Sequence, residues 1–555
     1  MFEKVKILRP KRSAFRLSYT SRTTQKIGEV VPSFAKLLMP GDTFRFGQVA
    51  TVELMPLISP FKGDLYLESV AFFCPLDILA INDEKKFTDI LTSVVDTQQA
   101  VPIPKWELAK TDLDSNSKMN STHIGTLWDK FGFPLNLPAT ISSKITPIAY
   151  LQRGYYKIYN EWIRDENSDQ EMSLTSNSLV TCCYKKDYFT SVFDSPQHGD
   201  APTLPLTGSA SAVWSAESLG TILGILVNYV KTKATSTGST HYETAAGTEA
   251  KLNGQSGLVN QSTSVSGSQS TAVDSKLGIK IDQDMLDFLN DNSIDLSDLI
   301  TFNIDNLRLL NKLQKWLERV QMCGTRTKEF LLANYAIAPN DETLQRPVFL
   351  GRLRTPIQVS SNLSSVETAS LPQGHKVGNG TGQQSVLFKK WVAKEPGIIY
   401  ILSFIRPKAT YSQGIGREWI MDDVFDFPNP IFQDLGQQAV FAAEIYAQGT
   451  SDDLNIVGYQ ENYVHFKTSQ DITTGYLRKG LTNGLDSWVL SRGFNSLPDL
   501  TSTDFLHVNP EDYDYLFSVK YLDSQEKVPA PHAVVTYSNV CKAVRPLHKR
   551  TIPSL

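Results

Sequence analysis

The 555-residue chain has only five cysteines, Cys74, Cys182, Cys183, Cys323 and Cys541. An odd and widely spread set suits reduced thiols rather than a disulfide frame. Neighbouring Cys182 and Cys183 suggest a metal or redox pair, but adjacent strand residues point to opposite faces, which favours two ordinary thiols. The eight histidines are far apart and show no ligand pair at helical spacing, so they read as ordinary surface or core residues. There is no Walker loop, no Gly-x-Ser-x-Gly elbow and no His-Glu-x-x-His, and Gly414-Ile-Gly416 lacks the third glycine of a dinucleotide site. No cofactor and no enzymatic activity are expected. Long apolar runs are missing too. Residues 219–230 are interrupted by Gly220, Gly224 and Asn228 and fall short of the roughly 20 residues a spanning helix needs. Residues 1–9 have no apolar h-region, so neither a membrane span nor a secretory signal is expected, and the chain is read as folding in a cytoplasm. Without a secretory route, the sequons at Asn120, Asn260, Asn362 and Asn379 have no consequence. Asp422, Asp423 and Asp426, beside Pro428 and Pro430, could hold calcium but lack EF-hand spacing; a turn with solvated acids is the simpler reading.

Cations are unevenly placed. Residues 1–26 carry Lys4, Lys6, Arg9, Lys11, Arg12, Arg16, Arg22 and Lys26 against Glu3, a net +7; residues 542–555 carry Lys542, Arg545, Lys549 and Arg550 with no acid, a net +4. With −4 overall, the body between them holds −15. Basic ends on an acidic body suit contact with polyphosphate or with the acidic body of a neighbouring subunit. Residues 43–54 and 64–73 are rich in β-branched and aromatic residues, with turn chemistry at Pro40-Gly-Asp42 and Phe61-Lys-Gly-Asp64. Residues 398–406, 463–467 and 515–521 read as further strands. Strands at both ends predict sheets completed by distant segments. Between them, Asn303 is an acceptable N-cap for a helix with Ile304, Leu307, Leu310, Leu313, Leu317 and Val320 on one face, ended by Gly324 and followed by a shorter helix over 328–334. That face is read as core or subunit contact. Of the 42 residues in 232–273, 21 are Ser, Thr or Gly, too little apolar material to offset its own ordering.

Several blocks carry a family resemblance. Tyr159-Asn-Glu-Trp-Ile-Arg-Asp-Glu-Asn167 and Lys186-Asp-Tyr-Phe-Thr-Ser191 closely resemble the major capsid protein of gokushovirus-like microviruses, small single-stranded DNA bacteriophages. Leu38-Met-Pro-Gly-Asp-Thr-Phe44, Leu344-Gln-Arg-Pro-Val-Phe-Leu-Gly351, Thr410-Tyr-Ser-Gln-Gly-Ile-Gly-Arg417, Leu435-Gly-Gln-Gln-Ala439 and Gly458-Tyr-Gln-Glu461 follow in the same order. One departure is 65–75, where Ser69, Val70, Ala71 and Cys74 replace a more uniformly aromatic run.

The resemblance implies a mainly β fold, a single eight-stranded antiparallel jelly-roll sandwich with long inserted loops and a few helices. Its expected parts are an N-terminal arm and first jelly-roll strands over 1–208, a surface insertion over 209–280, a helical and loop excursion over 281–397, and the remaining strands and C-terminal arm over 398–555. It implies a subunit that self-assembles into a T=1 icosahedral virion shell around circular single-stranded DNA, built in the bacterial host cytoplasm with a small basic DNA-packaging protein and a pilot protein as partners. DNA contact is expected at Arg9, Lys11, Arg12, Arg16, Arg22, Lys542, Arg545, Lys549 and Arg550, with base stacking on Phe15 and Tyr19. In the resembled phages an insertion comparable to 209–280 forms protrusions at the three-fold axes. Trp214, His241 and Tyr242 are therefore candidate contacts with a host cell-surface receptor. The alternative is a glycan-binding jelly-roll adhesin or lectin, which secretion signals would favour; a cupin-type enzyme would want a clustered His/Glu metal set.

Overall fold

The computed structural model describes residues 11–81, 84–91, 102–106, 124–134, 146–202, 258–259, 278–279, 304–324, 326–363, 373–388, 390–422, 424–433, 436–521 and 530–550. Arg9, Trp214, His241, Tyr242 and Asp423 lie outside them. The chain divides into two compact units, one of Met1–Gly199 with Leu317–Leu555 and one of Asp200–Trp316. In the second, the described parts are residues 200–202, a two-residue strand pair, Leu258–Val259 (β6) with Gly278–Ile279 (β7), and the start of the helix Ile304–Cys323.

The first unit is mainly β and antiparallel. Four strands form one sheet in the order β3-β12-β5-β8: Val31–Leu38 (β3), Gly397–Pro407 (β12), Leu65–Pro75 (β5) and Val348–Pro356 (β8). A seven-stranded sheet follows the path β1-β15-β4-β10-β9: Ser13–Arg16 (β1), Ala533–Arg545 (β15), Thr43–Leu54 (β4), Lys376–Leu387 (β10) and Gln358–Leu363 (β9). Tyr19–Gln25 (β2) adds to β15, and Trp391–Val392 (β11) adds to β4. Gln437–Phe441 (β13) and Ile456–Glu461 (β14) make a separate pair. Segments from the N-terminal and C-terminal thirds thus share each sheet, as the split strand pattern predicts.

Sequence period explains which strands are central. Along β4 and β15, buried and exposed positions alternate, so each presents one face inward. Along β5 and β12 nearly every residue is buried, so both faces are covered. Phe34, Phe44, Phe46, Phe73, Ile399, Ile401 and Ala543 meet between the two sheets. The other face of β12 is covered by the helix Tyr150–Ile158, which the Tyr400 hydroxyl engages through the Leu151 carbonyl at 3.0 Å. Gly154 permits this approach, because a Cβ there would overlap that hydroxyl. A buried polar seam crosses the interior: Ser33 Oγ lies 2.9 Å from Ser403 Oγ, Ser69 donates to Gln384 at 2.6 Å, and Gln48 donates to Asn539 at 2.9 Å. Such groups are satisfied at one alignment of the sheets only, so the seam selects that alignment.

Two local expectations are corrected. Residues 463–467 form a helical turn, Val464–Lys467, entered through Tyr463 at φ 58° with its N–H donated to Gln438. Tyr515 and Leu516 end a 3₁₀ helix over Pro510–Leu516, started by Asn509, whose side chain accepts from the Glu511 N–H, and by Pro510 with its preset φ, and no extended strand runs through 515–521. Aromatic strand propensity loses at Tyr463 to a left-handed turn held by the distant Gln438, and at Pro510 to a local cap. The helix Ile304–Cys323 forms and stops at Gly324, φ 90°, and Thr327–Tyr335 follows. Its apolar face is not core along its length: Leu307 and Leu313 are exposed, and burial is reached at Val320.

Candidate nucleic-acid interface

Strand register decides which cations share a face. β15 pairs with β1 and β2 on one side and with β4 on the other. Arg16 stands opposite Lys542, and Lys542 stands opposite Arg45. All three are exposed and project from the face opposite the buried Cys541, Ala543, Phe44 and Phe46. Exposed Lys390 precedes Trp391, which pairs with Phe44, and so extends the row at its β4 end. Among the described residues none of the four is in an ion pair. Like charges directly opposite in a sheet cost up to about 1 kcal/mol per pair, so this row favours a counter-anion from outside the subunit.

The rest of that face mixes hydroxyl and amide side chains with the exposed Val534 and Val540 and is nearly free of acids. Thr20, Ser538, Val49 and Ser385 align in one row; Arg22, Thr536, Thr51 and Gln383 align in another. Glu53, paired with Val534 and Thr381, is the acid among these rows. The arrangement offers point charges and hydroxyl donors at the 4.7–4.9 Å spacing of neighbouring strands, which suits a phosphate chain without selecting bases.

A second cluster lies elsewhere in the first unit. His507 Nε2 is 2.5 Å from Asp169 Oδ2 and 3.5 Å from Cys183 Sγ, while its Nδ1 faces the Thr181 carbonyl at 3.2 Å. Burial would lower the imidazole pKa, but hydrogen bonds and charge from Asp169 and Cys183 outweigh it and raise it to about 10. Burial likewise opposes ionisation of Asp169, yet His507 holds its carboxyl below the ordinary range. The three donor atoms lie within 4.8 Å of one another, as in a metal site. An imidazolium has no lone pair for a metal, so the geometry and charge fit a proton-bridged ion pair. Sequence reading missed this cluster because its members are separated by up to 338 positions.

The profile of the phage family described as "Capsid protein (F protein)" matches residues 3–548. The chain belongs to the phage F capsid-protein family. Among its relatives are three described as "Capsid protein VP1", each 26% identical. That of Bdellovibrio phage phiMH2K aligns over 90% of this chain and 89% of its own length, that of Spiroplasma virus 4 over 97% and 94%, and that of Chlamydia phage 1 over 100% and 97%. The relatives are gokushovirus-like Microviridae, and this capsid protein is a structural protein, not an enzyme.

Within the capsid protein, the expected DNA-contact residues separate. Arg16, Arg22 and Lys542 share the outer face of the large sheet; Lys11 and Arg12 are exposed just before β1, and Lys549 and Arg550 are exposed beyond β15. Arg545 is already engaged, with Nε 3.2 Å from buried Asp42 and Nη2 donating to the Leu37 carbonyl at 3.0 Å. Phe15 and Tyr19 do not suit base stacking: both alternate to the inner side, and Tyr19 stacks on Phe34 at 5.9 Å with Lys36 over its ring. Arg45 was legible only as an outward residue between two inward phenylalanines. Asp426 accepts the Asp422 N–H at 2.9 Å, as in a local turn. Among the described residues no helix is long and apolar enough to cross a membrane.

Proposed function

We propose that this chain is the major capsid protein of a gokushovirus-like phage and the repeating subunit of a T=1 icosahedral shell around circular single-stranded DNA. The two antiparallel sheets, each built from N-terminal and C-terminal segments, support a jelly-roll reading in which β1, β2 and β11 are additions to an eight-stranded frame of β3, β12, β5 and β8 with β15, β4, β10 and β9. The observation that carries the genome contact is the uncompensated row Arg16, Lys542 and Arg45, continued by Lys390. On this reading the outer face of the large sheet lines the shell interior and meets phosphates without regard to sequence, together with Lys11, Arg12, Lys549 and Arg550. Assembly takes place in the host cytoplasm, with a small basic DNA-packaging protein and a pilot protein as partners.

The combined substitution Arg16→Gln, Arg45→Gln and Lys542→Gln removes three phosphate contacts. Each contributes about 0.7 to the log–log salt slope for single-stranded DNA, so the slope should fall by about 2 while the fold is kept. Titration of single-stranded oligonucleotide at several salt concentrations measures it. An unchanged slope would remove this face from the genome contact.

Residues 209–280 are proposed to form the host-facing insertion, with Trp214, His241 and Tyr242 as receptor contacts multiplied by the symmetry of the particle. Deleting 232–273 should leave particles intact and reduce their attachment to host cells. Loss of assembly would make the segment a structural clamp, and unchanged attachment would make it a passive loop.

A further inference from the structure

The block Thr410–Arg417 takes no part in the basic face, yet the structure builds a rigid platform from it. The Ile415 N–H donates to the Ala443 carbonyl at 2.9 Å, and the Ala447 N–H donates to the Gln413 carbonyl at 3.1 Å. Gly414 lets this strand of chain lie against the Glu444 backbone, where any Cβ would overlap the carbonyl. Arg417 then turns inward. Its Nη1 lies 3.0 Å from the buried Glu444 carboxylate and donates to the Ala439 carbonyl at 2.7 Å, with the guanidinium over the Phe441 ring.

This anchoring has an outward consequence. The helical turn Arg417–Trp419 presents Trp419 to solvent at 78% exposure. Val424, Phe427 and Ile431 follow at 83%, 57% and 81%, and Ile472 and Tyr476 stand at 87% and 70%. The two stretches adjoin, since the turn Val464–Lys467 packs on Arg417–Trp419 and Tyr411 bridges to Ile472. At about 150–250 Å² for a whole large side chain, these six groups expose on the order of 800 Å². A free monomer rarely leaves more than a few hundred Å² of contiguous apolar surface open, and about 800 Å² is one partner's share of a standard stable interface. Because the backbone beneath Trp419 is already fixed, docking there orders little more than side chains.

We propose that the surface formed by Trp419, Val424, Phe427, Ile431, Ile472 and Tyr476 docks on a second copy of this chain and is a principal subunit contact of the shell. The occupant follows from family membership, because a capsid protein's most abundant partner is itself, and the area matches what one such contact buries. The inference rests on the self-assembly reading above and adds to it where the contact lies.

Sedimentation velocity of the purified full chain, with Trp419→Glu/Ile431→Glu and Trp419→Phe variants, tests it. Both residues are exposed, so the thermal midpoint of the double variant should stay within a few degrees of the parent. Its assembled fraction should fall at least tenfold at a concentration where the parent assembles, and Trp419→Phe should keep most of it. A photo-crosslinking amino acid at position 419 should join two copies of the chain. Assembly of the double variant at the parental level, or no chain-to-chain crosslink in assembled parent-like material, overturns the contact while leaving the capsid reading intact. A parent chain that never associates overturns both.

Discussion

Replacing Glu68 by Ala is expected to destabilise the subunit by about 3 kcal/mol, the cost of breaking a buried ion pair and leaving Arg406 without its carboxylate. Glu68 sits on β5 with its side chain 1% exposed, between β8 and β12. Arg354 stands directly across β8, with Nε 3.4 Å from one carboxylate oxygen; Arg406 approaches the other at 3.5 Å, and Arg352 closes on it as well. One carboxylate thus compensates three guanidinium groups, of which Arg406 is largely buried. Glu68→Gln keeps the shape and removes the charge, so it should lose most of the same stability, whereas a packing role alone would leave it near the parent. Urea unfolding of the unassembled subunit measures both. A loss below about 1 kcal/mol for Glu68→Ala would show that the sheet does not depend on this cluster.

The His507–Asp169 pair is expected to make stability depend on pH in a window that its shifted groups define. The imidazole pKa, ordinarily 6.5, is raised to about 10 in the folded state, so its contribution is complete below pH 6.5 and declines as pH rises toward 10. Asp169 is shifted the other way. Its contribution is complete above the ordinary 3.8 and is lost as pH falls through its lowered folded value. His507→Gln should therefore cost about 3 kcal/mol near pH 5–6, where both charges are present, and progressively less as pH approaches 10. Comparing the variant with the parent at each pH cancels other titrating groups. A pH-independent difference would mean that the imidazole acts by packing and neutral hydrogen bonds alone.

Local pattern determined a good deal about this protein. The alternation in residues 43–54, the apolar run in 398–406 and the leucine spacing before Gly324 are each visible within a dozen or so residues, because side-chain period is a property of the local backbone. The collinear motif blocks likewise pointed to the family that residues 3–548 match. What the tertiary structure decided is how those elements pair. Arg16 faces Lys542 across more than 500 positions of chain, Glu68 meets Arg352, Arg354 and Arg406, and His507 meets Asp169. Period tells which way Arg45 points, but only the register of β4 against β15 makes it one of a row. The inward turn of Phe15 and Tyr19 followed from the pairing of β1 and β2 with β15, and the turn at Val464 from the contact of Tyr463 with Gln438, whereas the Asn509 cap before Pro510 is local. Register and partner choice are set by long-range burial and hydrogen bonding between segments whose own sequences do not name each other.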